Sequence, residues 1–113
     1  MAAEVRAIVA RGVEGQQAFE ANLGPTRALV AAAGPAESES WTKAQEAISR
    51  LDAARGPSVV ALADLDALAV RLGTGGERVN DLAVVSAAAA DLSAAVARQR
   101  ETLDALGGAL APA

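Results

Sequence analysis

Histidine, cysteine and tyrosine are absent from the 113-residue sequence, and the only aromatic residues are Phe19 and Trp41. The side chains that most often serve as general base, thiolate nucleophile and soft-metal ligand are therefore missing, and most enzyme classes go with them. Catalysis is not expected, nor is a cofactor or a metal. A chain with no cysteine fits either redox compartment. Basic residues are in deficit, 10 against 14 acidic, for a net charge of −4 and a pI near 4.7. That is the wrong sign for a surface that neutralises phosphates, so no nucleic-acid partner is expected.

Long uninterrupted apolar runs are also lacking. Asp91 interrupts the stretch 82–97, and Asp64, Asp66 and Arg71 interrupt 62–72. No window of about 18 residues is free of charge, and no membrane span is expected. The segment 1–13 lacks a basic start followed by an unbroken apolar core, so it does not read as a signal peptide. A cytoplasmic location is the default. A periplasmic one follows if a signal was removed ahead of a mature segment.

Alanine fills 31 positions, and nine of the ten basic residues are Arg, with Lys43 the exception. Alanine is the strongest helix former, so the composition points to an all-α chain of single-domain size. The preference for Ala, Val, Gly and Arg suggests a GC-rich bacterial genome. With few aromatics, the core must be built from Leu, Val and closely packed Ala.

Punctuation is sparse. It consists of Gly24-Pro25, Gly34-Pro35, Gly56-Pro57 and the run Gly73-Thr74-Gly75-Gly76. An apolar row at 3,4 spacing runs through Val9, Gly12, Gln16, Phe19, Leu23, Thr26, Val30 and Ala33, keeping phase across Pro25. A second row, from Trp41 through Ala44, Ile48, Leu51, Arg55, Ser58, Leu62, Leu65 and Ala69 to Leu72, keeps phase across Pro57. A third joins Leu82, Val85, Ala89, Leu92, Val96, Gln99, Leu103, Leu106 and Leu110. The spacing predicts three helices, near 2–33, 38–72 and 77–109, the first two kinked at proline. Each is roughly 50 Å long. Matched lengths imply an elongated antiparallel, up-down-up three-helix bundle. Ser38 or Ser40 is placed to cap the second helix, with Glu37 and Glu39 near its first turn. Thr74 and Glu77 have capping-box spacing for the third.

Mid-length, the rows turn polar. Gln16, Arg55, Ser58 and Asp91 fall at about one height. They form either a small-anion or polar-metabolite site or, preferably, a register device in which Arg55 reaches Asp52 or Asp91. Trp41 is expected to plug the end of the bundle beside Val30 and Leu106 or Leu110, and Phe19 to be core. Asp64 and Asp66 flank Leu65 and point to opposite sides, so they cannot share a cation. Glu46/Arg50, Asp52/Arg55 and Arg100/Asp104 have the spacing of solvated intrahelical pairs.

A second set of stripes is the most informative feature. Val60, Ala63, Ala67 and Val70 lie opposite Leu62 and Leu65. Ala83, Ala87, Ala90, Ala94 and Ala97 lie opposite the leucine row of the last helix. Exposed valine gains nothing from water and has poorer helix propensity than alanine. These rows are the candidate interface of a non-catalytic helical interaction or scaffold protein that binds a protein partner or associates weakly with itself. The alternative is a bundle holding a small ligand near Arg55.

Overall fold

A computed structural model describes residues 2–73 and 79–110, and among these every regular element is an α-helix. They are α1 (Ala2–Ala31), α2 (Glu39–Ala54), α3 (Gly56–Gly73) and α4 (Val79–Leu110). The molecule is long and flat, 59 × 24 × 15 Å. The Thr74/Glu77 capping box lies outside the described residues.

α1 runs through Pro25 without interruption. Pro25 has no N–H to offer the Ala21 carbonyl. Around it, Asn22 Nδ2 donates to the Ala18 carbonyl and the Thr26 hydroxyl to the Asn22 carbonyl, both at 2.7 Å. Such bonds to the preceding turn satisfy buried hydroxyls within a helix, and Thr26 is buried.

The middle segment, predicted as one helix, is divided at Arg55 into α2 and α3. Pro57 is the cause, because it cannot donate to the carbonyl four residues back. The Arg55 N–H instead bonds the Asp52 carbonyl at 3.3 Å, while Ser58 and Val59 both donate to the Arg55 carbonyl at 3.0 and 3.1 Å. Arg55 stays right-handed helical, with φ −80° and ψ −7°. The chain does not turn back here: the Phe19 level of α1 packs on Leu51 of α2, whereas the N-terminal end of α1 pairs with the far end of α3. Ser38 is the N-cap of α2 and accepts the Trp41 N–H at 3.1 Å, as its position predicted.

α1 packs along both α2 and α3, and α4 along α3 with lighter contact to α1 and α2. Two apolar clusters result. One gathers Val5, Ile8, Leu65, Leu68, Val85 and Leu92; the other gathers Phe19, Leu51, Leu103 and Leu106. On α4 the row follows the sequence periodicity, and on α3 Ser58, Leu65 and Leu72 are buried as expected while Ala61 and Leu68 take the inward places of Leu62 and Ala69, which are half-buried. On α1 the row holds at Gly12, Phe19 and Thr26 but not at Val9 and Gln16. The inward face of α1 is Val5, Ile8, Gly12, Gly15 and Phe19, while Val9 is exposed and Gln16 half-buried.

The shift follows from how closely α1 and α3 approach. The Ser58 hydroxyl donates to the Gly12 carbonyl at 2.8 Å, fully buried. A Cβ built on Gly15 would stand 2.5 Å from the Ser58 backbone nitrogen, and one on Gly12 would meet the Leu92 methyls at 3.1 Å. Two glycines one turn apart thus let α3 seat a serine against the α1 backbone, at the cost of some helix propensity. On the flank of the same contact, Arg11 pairs with Asp64 at 2.8 Å and Arg71 with Glu4 at 3.1 Å.

Candidate functional site

The four mid-length polar residues are not brought to one surface. Ser58 is enclosed between α1 and α3, bonded to Gly12. The Arg55 side chain is only 12% exposed; Nη1 reaches Asp52 at 3.4 Å and Nη2 the Val96 carbonyl at 3.5 Å, while Nε has no partner. Gln16 and Asp91 instead line a groove between α1 and α4 that contains neither Arg55 nor Ser58. Backbone placement explains the separation: Ser58 turns toward the glycines of α1, whereas Arg55 turns toward α4.

The α1/α4 groove has two confluent parts that share Val13, Gln16, Ala95 and Arg98. The part nearer the start of α1, about 430 Å³, is walled by Val9, Val13, Ala88 and Ala94. The part nearer Arg27, about 610 Å³, carries Gln17, Glu20, Arg27 and Thr102 on its walls. Phe19 and Leu23 also line it. Glu20, Arg27, Asp91 and Arg98 form no ion pair among the described residues, in contrast to the paired charges on the α1/α3 flank. Gln99 is buried with its Oε1 unbonded. The groove is not legible in the sequence because periodicity places its α1 wall, Val9 and Gln16, in the core. The signal that could have moved them outward is the pair Gly12 and Gly15, a helix interior with no side chain on one face.

All of the candidate interface residues are exposed. Val60 is 53% and Val70 69% accessible, and Ala63 and Ala67 lie between them on the same face of α3, with exposed Val59 alongside. Asp66 borders this face on one side, Asp64 and Arg71 on the other. Ala83, Ala87, Ala90, Ala94 and Ala97 are exposed on α4, and Val84 lies exposed on the same helix. Trp41, at the opposite end, is half-buried, and its Nε1 donates to the Leu110 carbonyl at 3.1 Å.

Among the described residues no three acidic side chains stand close enough to hold a metal ion. α4 is long and apolar enough to cross a membrane by length and composition, despite Asp91, which the charge-interruption argument had excluded. A charge-free window is a stricter condition than an apolar average. The chain matches no protein-family model, no curated protein and no solved structure.

Proposed function

We propose that this protein is a non-catalytic helical association module. It acts by presenting helix faces to a protein partner or to a second copy of itself. The observation that carries this reading is the outward face of α3. Val60, Ala63, Ala67 and Val70 line up along it, and both valines are more than half exposed. Covering such a face gains roughly 25 cal/mol for each Å² of apolar surface removed from water. The alanine row of α4, with no bulky side chains, is a second surface to which a helix can approach closely.

In this reading the molecule is an up-down-up three-helix bundle. Its first rod bends at Pro25, and its middle rod, α2 followed by α3, bends at Pro57. Antiparallel passage is supported by the pairs Glu4/Arg71 and Arg11/Asp64, and by the bond from Trp41 to the end of α4. An acidic bundle of this kind has no feature that favours nucleic acid, and protein surfaces are its proposed partners.

Equilibrium sedimentation of the wild type against Val60→Glu combined with Val70→Glu tests the proposal. Self-association present in the wild type and abolished in the variant, with helicity unchanged, supports it. Association unaffected by the two glutamates would reject the α3 face.

A further inference from the structure

The α1/α4 groove and the outer face of α3 are separate surfaces. The groove is walled only by α1 and α4, whereas Val60 and Val70 of α3 are more than half exposed and Ala67, between them, borders α1 beside Ala7 and Arg11. They also lie at the same height. Because Asp64 pairs with Arg11 and Arg71 with Glu4, the stretch Val60–Val70 runs beside the first half of α1, where Val9 and Val13 form the apolar part of the groove. We propose that α3 of a second copy fills this groove, so that copies stack side by side in one orientation as an open-ended array.

Four observations favour this occupant. The first is length: the groove walls extend from Val9 to Arg27, 18 residues apart or about 27 Å of helix, which the middle rod covers when α3 is followed by α2. The second is direction. α3 runs antiparallel to its neighbours, so a translated copy presents a rod antiparallel to both walls, as the missing fourth rod of a four-helix arrangement would be. The third is side-chain size. A ridge of Val and Ala suits walls made of Val9, Val13, Ala88, Ala94 and Ala95.

The fourth is charge. Beyond Val9 and Val13, the translated copy lays its α2 along the part of the groove that carries Glu20 and Arg27. Arg50 follows the Leu51 level, which packs on Phe19, so Arg50 of the second copy arrives at the height of Glu20. Glu46 of that copy, one turn further, comes within a turn of Arg27. Glu20 and Arg27 are two of the four groove charges that form no ion pair among the described residues.

A surface that meets a different surface on its neighbour cannot close a dimer by two-fold symmetry; it propagates. The contact is also small. A rod about 27 Å long and about 10 Å across covers roughly 300 Å², well below the ~800 Å² per partner of a stable interface. Association is therefore weak, reversible and dependent on concentration. The inference rests on the outer face of α3 being an association surface and adds what receives it.

The test uses the full chain and two variants, Val70→Glu on the ridge and Val13→Glu in the groove. Val13 is 41% exposed and Val70 69%, so both glutamates reach water in the monomer, and circular dichroism checks that folding is kept. In sedimentation velocity from micromolar to millimolar concentration, the wild type is expected to grow in mass without a plateau at dimer. Each variant alone stays monomeric. An equimolar mixture forms heterodimers and nothing larger, because each variant retains one working surface. A wild type that plateaus at dimer and ignores Val13→Glu would overturn the array while leaving the α3 face as an interface. A wild type monomeric throughout, or a mixture that gains no mass, would overturn the array as well.

Discussion

Replacing Gly15 with alanine adds one methyl group at the closest approach of α1 to α3. That methyl would sit 2.5 Å from the Ser58 backbone nitrogen and inside the van der Waals envelope of its hydroxyl. A backbone atom cannot rotate aside, so α3 must move outward and lose the 2.8 Å bond from Ser58 to the Gly12 carbonyl. Overpacking of this kind costs about 1–3 kcal/mol, and the buried hydrogen bond contributes about 1 kcal/mol more. Against this stands the gain of about 1 kcal/mol for alanine over glycine in a helix interior. The net is a destabilisation of about 1–3 kcal/mol, which lowers Tm by roughly 4–12 °C for a domain of this size. Gly107→Ala is the control, since no atom lies within 4 Å of a Cβ built there and the position is exposed near the end of α4. It should raise stability by up to about 1 kcal/mol. Ser58→Ala introduced with Gly15→Ala should restore little, because the backbone nitrogen remains. Thermal and urea unfolding followed by circular dichroism measure all of these. If Gly15→Ala is as stable as Gly107→Ala, the close approach of the two helices is refuted.

Pro57→Ala supplies a donor to the Ala53 carbonyl at an exposed position and should stabilise by about 1–3 kcal/mol; a large loss in urea unfolding would mean that the division between α2 and α3 is needed for packing on both apolar clusters. Arg55→Met replaces a guanidinium that is 12% exposed and has an unbonded Nε, so stability should hold or rise by about 1 kcal/mol. A loss of several kcal/mol would show the contact with Val96 to be essential. Trp41→Phe removes the bond to the Leu110 carbonyl and should cost about 1 kcal/mol, while wild-type Trp41 fluorescence should be blue-shifted and partly shielded from acrylamide. Emission like that of free tryptophan would contradict the packing of Trp41 against the end of α4.

Much of the helical layout is legible from residue order alone. Leu65 and Leu72, and the row Val85, Leu92, Leu103, Leu106, Leu110, are buried where their periodicity places them, because a helix has one inward stripe and large aliphatic side chains claim it. Ser38 caps α2 because a short acceptor before a helical run has a local partner whatever the rest of the molecule does. The exposed valines of α3 are legible for the same reason: a helix with two apolar stripes can turn only one inward.

What tertiary structure decided lies on α1 and at the junction of α2 and α3. Periodicity counts side chains that are present, whereas the α1/α3 contact depends on side chains that are absent. Periodicity therefore places Val9 and Gln16 inward with Gly12, whereas the contact with Ser58 uses Gly12 and Gly15. Rotating α1 to bring those glycines to α3 moves Val9 and Gln16 outward to line the groove with Val13. At Pro57 the sequence carries the missing donor but not its consequence, since whether a helix bends, breaks or turns back is set by what its two halves pack against. Here α1 accompanies both halves, holding α2 at Phe19 and α3 at Gly12 and Gly15, and that single long partner keeps the chain running on in one direction.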